Sequence, residues 1–275
     1  MTMHRPIGVF DSGFGGLTVA RALIDLLPAE DVTYIGDTGR YPYGPRPLAE
    51  VRGYAHEIGQ TLVADHDAKL VVVACNTAAA AALPGLEDEL GVPVVGVIDP
   101  GVRALISATR VGRVGVIGTV GTIGSGAYQR AVAEPAGSDE GGPGRQAPVA
   151  LSCAACPGFV EFVERGEADT DQAHILAERL LAPLRDAAVD ALLLGCTHYP
   201  YLARTIGDVM GSEVVLVSSA DETAFEVRDQ LVRGGLAREG GIGEHRFLSS
   251  GDLDRFRTLG RRFLGPELEA AEKWS

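Results

Sequence analysis

The sequence predicts an α/β protein built on two doubly wound, mainly parallel sheets, and three observations predict it. Short runs rich in valine, isoleucine and leucine recur along the chain, as in strands buried on both faces. Between them lie stretches with apolar residues three and four apart, the pattern of helices that pack one face on a sheet. The segment 70–77, Leu-Val-Val-Val-Ala-Cys-Asn-Thr, is echoed at 191–198 by Ala-Leu-Leu-Leu-Gly-Cys-Thr-His, about one small domain further on. A chain of 275 residues accommodates two such sheets better than one sheet holding every strand.

The elements come in order. Ile7–Phe10 is the first strand and runs straight into Asp11-Ser12-Gly13-Phe14-Gly15-Gly16, after which Leu17–Leu27 reads as a helix. A glycine-rich turn opening a helix aims backbone N–H groups at an anion. The spacing is not that of a dinucleotide fingerprint, however, and Asp11 would meet a phosphate with like charge. Asp11 at a strand tip suits orienting a base or meeting an ammonium group. Val32–Ile35 is the second strand. It leads into Gly36–Arg46, where two tyrosines, several turn formers and two arginines make a candidate substrate loop. Leu48–Asp65 reads as a helix. Strands are expected at Leu70–Ala74, Val92–Ile98, Arg113–Ile117, Val149–Ser152, Ala191–Leu194, Glu213–Val217 and His245–Leu248, with further helices at Ile175–Ala187 and Asp221–Arg233. Residues 134–148 lack apolar periodicity and read as a flexible surface loop.

Composition narrows the function. Twenty-four basic against 37 acidic residues give a net charge of −13, which argues against a protein whose task is to coat nucleic acid. No run is long enough to span a bilayer, and the first apolar stretch lacks a secretory pattern. Four cysteines in this length do not form a disulfide scaffold, so a soluble protein of a reducing compartment is expected. The only lysines are Lys69, at the start of a strand, and Lys273, near the end. Neither is well placed for a pyridoxal phosphate Schiff base, so amino-acid chemistry here would run without that cofactor.

Ligands of open α/β sheets bind at the carboxyl ends of the strands. Cys75 and Cys196 each end an apolar run there, at or just before an expected helix N-terminus, which favours the thiolate. Two thiols acting on opposite faces of one carbon, one taking a proton and one giving it, would racemise or epimerise a substrate without a cofactor. His198, two residues after Cys196, could polarise the thiol or hold a substrate group. These residues do not have a metal-ligand spacing, and no metal is expected. Cys153-Ala154-Ala155-Cys156 spells a C-x-x-C pair, read as core rather than redox-active, since a thioredoxin-like motif belongs in a much smaller domain. A helix is expected to start after Pro157, with one of Glu161 and Glu164 facing the site and the other water.

Taken together, the motifs resemble the glutamate racemases of the aspartate/glutamate racemase superfamily over nearly the whole chain. The resemblance is carried by Ile7–Val19, by Tyr34–Thr38 with Pro42-Tyr43-Gly44, by Ala74–Ala78, by Ala155–Val160, by Leu194–Pro200, and by Ser249, Gly251 and Asp252 with Arg255-Phe256. It implies two α/β domains related by a pseudo-two-fold with the site in the cleft between them: 1–98 with 208–275 carrying Cys75, and 99–207 carrying Cys196. It implies that Cys75 and Cys196 are the catalytic acid/base pair and that Asp11, His198, Asp37 and Glu164 support them. It also implies that Asp11, Ser12, Tyr43, Gly44, Asn76, Thr77, Thr197 and His198 contact the substrate. The activity implied is cofactor-independent interconversion of L- and D-glutamate, supplying D-glutamate for peptidoglycan in the cytoplasm, by a homodimer. Contact with DNA gyrase, reported for some members, is left open. Asp99 stands where glutamate is common, Glu161 where proline is common, and 134–148 resembles an insertion. The N-terminal extension of members activated by a peptidoglycan precursor is not seen. Two other readings stay open: a relative acting on aspartate or a hydantoin, and a non-catalytic amino-acid or protein binder.

Overall fold

A computed structural model of the chain describes residues 2–133 and 149–274; the segment 134–148, expected to be a surface loop, lies outside the described residues. The chain forms two compact units, Met1–Val97 with Ala220–Ser275, and Ile98–Ser219.

The first unit begins with β1 (Ile7–Asp11), α1 (Leu17–Leu26), β2 (Val32–Gly36), α2 (Leu48–Ala64), β3 (Leu70–Val73), α3 (Asn76–Leu90) and β4 (Val94–Gly96). The second contains α4 (Ile98–Ala108), β5 (Arg113–Gly118), α5 (Val120–Gly124), α6 (Ala127–Ala133), β6 (Ala150–Ala155), α7 (Phe159–Arg165) and α8 (Asp171–Asp186). It continues with β7 (Ala191–Gly195), a 3-10 helix at Tyr199–Leu202, α9 (Ala203–Met210) and β8 (Val215–Val217). The chain then returns to the first unit with α10 (Ala220–Arg233), β9 (His245–Ser249), α11 (Leu253–Leu264) and β10 (Glu272–Lys273).

Among the described residues the sheets run β10-β9-β2-β1-β3-β4 and β6-β5-β7-β8. Every pairing is parallel, which matches the run of apolar, both-faces-buried strands in the sequence. Counted from the first strand of each unit, both sheets share the order second, first, third, fourth. The sequence echo is therefore a topological one: Cys75 comes after β3 and Cys196 after β7, the third strand of each set.

Three details differ from the sequence expectation. The run 92–98 splits: Pro93 has no N–H for the ladder, the strand is only Val94–Gly96, and Ile98 already opens α4, with Pro100 in its first turn where an absent N–H costs nothing. The return to the first unit falls at 220 rather than 208, because β8 pairs with β7 and keeps α9 and β8 in the second unit. Finally, β10 carries no apolar run; it is a two-residue parallel extension of β9.

Lys69 is structural. Its ammonium lies 2.5 Å from Glu30 Oε2, with side chains 0% and 3% exposed, and also donates to the carbonyls of Met3 (2.7 Å) and Leu236 (2.8 Å). Glu30 Oε1 in turn accepts from the Arg238 N–H at 2.8 Å. This network ties the strand starts of the first unit together, at the opposite end from the site. No helix among the described residues is long and apolar enough to cross a membrane.

Lys69→Met strands a buried carboxylate and should destabilise the fold by about 3–5 kcal/mol in chemical denaturation. Lys69→Met combined with Glu30→Gln should recover part of that loss, and a Lys69→Met midpoint equal to wild type would contradict the buried-pair assignment.

Candidate active site

In the first unit, β1 ends in Asp11 and the chain turns through Ser12–Gly16 into α1. Asp11 is buried, and its Oδ2 accepts from the Gly13 N–H at 2.9 Å. A Cβ on Gly16 would lie 2.4 Å from Asp11 Cβ and 3.0 Å from Ala74 Cβ, so glycine is needed for the β1 tip to pack against the residue preceding Cys75.

Cys75 is the N-cap of α3, with φ −76° and ψ 118°, and its carbonyl accepts from the Ala79 N–H at 2.8 Å. The Ala78 N–H and both the N–H and the hydroxyl of Ser12 hydrogen-bond to its sulfur, contacts that favour a thiolate. Burial and the neighbouring Asp11 charge outweigh them and push the thiol up to about 12. The expectation that a helix start would favour the thiolate is thus corrected for Cys75, which rests as a neutral thiol. Asn76 and Thr77, on the first turn of α3, are both buried.

The loop after β2 is organised by Asp37, whose side chain is fully buried. Its Oδ1 accepts from Ser250 Oγ at 2.6 Å, and its Oδ2 from Arg40 Nε at 2.6 Å and from the Tyr43 hydroxyl. Burial and Asp37 raise the Tyr43 phenol, so Tyr43 is a donor here, and it also lies within electrostatic reach of Cys75. Gly44 is half-buried. The two arginines of this loop are committed elsewhere. Arg40 also holds Glu57 at 2.5 Å, and Arg46 holds Glu50.

In the second unit Cys196 comes directly after β7 and is buried, as are Thr197 and His198. A Cβ on Gly195 would lie 2.6 Å from the Ile117 carbonyl, so the strand must end in glycine for β7 to lie this close to β5. Beyond Cys196 the expected helix opens as a four-residue 3-10 turn at Tyr199–Leu202 that runs on into α9, whereas Cys75 directly caps an α-helix, so the matched contexts of the two thiols differ in their first turn. His198 Nε2 lies 3.4 Å from Glu164 Oε1 of α7. Glu164 is the inward glutamate of α7, while Glu161 is exposed. The Tyr199 hydroxyl donates to the Cys156 carbonyl at 3.0 Å, and the Tyr199 ring meets Phe159 edge-on at 5.4 Å between centroids. Cys153 and Cys156 are free thiols pushed up by burial to about 11 and about 12.

The first unit therefore gathers Asp11, Ser12 and Cys75, with Tyr43 held nearby by Asp37, and the second pairs His198 with Glu164. Sequence reasoning did not single out Ser250 or Arg40 as the residues fixing Asp37. Ser250 lies among the motif residues 249–252, which was the available signal.

A thiol and carboxylate at strand tips, with donors converging on sulfur, are the equipment of proton transfer at carbon. The family model described as Asp/Glu/Hydantoin racemase matches residues 7–225. The chain is 53% identical over 267 residues to a glutamate racemase of Parafrankia sp., covering 96% of this chain and 92% of that protein. Among solved structures, a glutamate racemase isoform of Bacillus anthracis is similar at TM-score 0.91 and 41% identity, covering 99% of this chain and 98% of that one. A glutamate racemase of Francisella tularensis in complex with D-glutamate is similar at TM-score 0.89 and 31% identity, with the same coverage of 99% and 98%. These similarities define the class of the chain as an amino-acid racemase, an isomerase. It belongs to the Asp/Glu/hydantoin racemase family.

Asp11→Asn should lower the Cys75 pKa by removing the like charge while keeping an acceptor for Gly13. The pH midpoint for Cys75 alkylation, followed by mass spectrometry of its peptide, should fall from about 12 yet stay above the ordinary thiol value because burial persists. An unchanged midpoint would remove Asp11 as a cause.

Proposed function

We propose that the chain interconverts L- and D-glutamate without a cofactor, with Cys75 and Cys196 as the two bases, and supplies D-glutamate for peptidoglycan synthesis in the cytoplasm. The observation that carries this proposal is the equivalent placement of the two cysteines after the third strand of two like-ordered sheets. Full-length similarity to glutamate racemases, one of them in complex with D-glutamate, supports the substrate.

In each direction one cysteine, as thiolate, removes the α-proton from one face, and the other, as thiol, delivers a proton to the opposite face. The pair must therefore start in opposite protonation states. Asp11 is the proposed partner of Cys75. An ammonium group bound beside Asp11 offsets its charge, and this brings the Cys75 thiol down from about 12 toward the working range, where the Ser12 and Ala78 donors favour the thiolate. His198, with Glu164 at 3.4 Å, is the proposed partner of Cys196. The developing carbanion needs donors at the α-carboxylate. Ser12, Asn76 and Thr77 are proposed to supply them in the first unit, and Thr197 and His198 in the second. Tyr43 and Gly44 are proposed to contact substrate from the loop that Asp37 fixes. A homodimer is the assembly expected from the resemblance.

The test measures solvent deuterium incorporation at Cα of each glutamate enantiomer. Wild type should exchange and racemise both enantiomers, and Cys75→Ser and Cys196→Ser should each lose at least about 10²-fold in racemisation. Full activity in both variants would overturn the two-base mechanism, and aspartate racemised far faster than glutamate would overturn the substrate.

A further inference from the structure

Asp37 is reached by two chains of contacts, which start at the neighbouring C-terminal residues Trp274 and Lys273. Trp274, the only tryptophan in the sequence, is buried, and its backbone N–H donates to the Ser249 carbonyl at 3.0 Å. Its ring lies against the guanidinium of Arg40, with the central carbon 5.3 Å from the ring centroid. A second aromatic face, that of Tyr54, lies 4.2 Å from the same carbon. Arg40 gives its Nε to Asp37 and its Nη1 to Glu57. Its Nη2 is buried with no hydrogen-bond partner, so aromatic faces are the nearby electron-rich groups for that end of the cation. The second chain runs through Lys273, whose ammonium donates to the carbonyls of Ser250 at 2.5 Å and Gly251 at 2.8 Å. The Ser250 hydroxyl in turn accepts from the Gly39 N–H at 2.8 Å and donates to Asp37 at 2.6 Å.

We infer that Trp274 is a positioning residue of the racemase site: by covering Arg40 it fixes the Arg40–Asp37–Tyr43 chain, and so the loop that presents Tyr43 and Gly44 to substrate. The inference rests on the proposed role of that loop. It needs an aromatic face at 274, not merely an apolar side chain, because the group it covers is a guanidinium, which an aromatic face attracts and an aliphatic side chain does not. Tyr43 and Gly44 would touch substrate in the ground state and the transition state alike. Loosening them removes uniform binding, which raises KM and leaves kcat in place. A residue with only a structural role behaves differently. Its loss lowers the amount of folded enzyme, and hence apparent kcat and thermal midpoint, at constant KM.

The experiment compares Trp274→Phe, Trp274→Leu and Arg40→Met in the full-length protein, with kcat normalised to folded enzyme. Trp274→Leu should raise KM about tenfold with kcat within about threefold of wild type, and Trp274→Phe should restore most of the binding. Arg40→Met should shift the Trp274 fluorescence emission in the absence of any substrate, because it removes the cation beside the only indole. Equal KM in the Leu and Phe variants, or an unchanged emission in Arg40→Met, would overturn the inference. If the wild type racemises another amino acid instead of glutamate, the same KM comparison is made on that substrate. The substrate assignment then fails without touching the role of Trp274.

Discussion

The site depends on where the parallel ladders stop. In the first sheet β1 sits between β2 and β3, with Phe10 opposite Ile35 on one side and Val73 on the other. Because the three strands run the same way, their chains leave the sheet at one level, and three separate segments deliver Asp11, Asp37 and Cys75 to the same edge. The backbone groups freed there still need partners. They find them in each other: Asp37 N–H donates to the Asp11 carbonyl at 3.0 Å and Ala74 N–H to the Phe10 carbonyl at 2.9 Å. Gly36 belongs to the same closure, since a Cβ there would lie 2.5 Å from the Gly13 carbonyl. A slip of one residue in β1, β2 or β3 would turn Asp11, Asp37 or Cys75, respectively, to the other face of the sheet.

That edge is dry, and its electrostatics arise from dryness rather than from the net charge of −13. A carboxylate and a thiol buried together do not both ionise, so Asp11 holds the charge and Cys75 the proton. The loop arginines do not offer a free cation to an anionic substrate, because Arg40 is spent on Asp37 and Glu57 and Arg46 on Glu50. In the proposed reaction the substrate carboxylates are therefore met by the hydroxyl, amide, imidazole and backbone N–H donors of Ser12, Asn76, Thr77, Thr197 and His198 rather than by the loop arginines. The loop arginines act on the scaffold: Arg40 holds Asp37, and Asp37 holds Tyr43.

The features legible in the sequence were those with a period or a local signature. Buried parallel strands write themselves as apolar runs, so β1, β2, β3, β5 and β7 could be read within a residue or two, and the echo around Cys75 and Cys196 marked equivalent places in two sheets of the same order. The elements misread were those whose cause is non-local. β10 is two charged residues made into a strand only by β9. The protonation of Cys75 depends on burial and on a carboxylate 64 residues away in the chain, neither of which a motif displays. Asp37 was named for its acidity, yet it is defined by Ser250, 213 residues on, which no spacing rule connects to it.

The two thiols are equivalent in topology and unequal in surroundings, and a racemase constrains how that inequality can be expressed. Cys75 caps a fifteen-residue α-helix and adjoins Asp11, while Cys196 precedes a four-residue 3-10 helix on the side of the His198–Glu164 pair. The enantiomers have equal free energy in water, so the equilibrium constant is one and kcat/KM must be the same in both directions, however different the two bases are. Asymmetry between the sites can therefore reach only the partition of that common ratio into kcat and KM. On the proposed roles, a thiol whose ionised form depends on a bound ammonium ties catalysis on its side to substrate binding, and a thiol paired with the His198 imidazole is less dependent on it. In the proposed two-base reaction, the enantiomer deprotonated at Cys75 should then carry its share of the barrier in binding, and the enantiomer deprotonated at Cys196 in turnover, a difference read as unequal kcat and KM for the two enantiomers at equal kcat/KM.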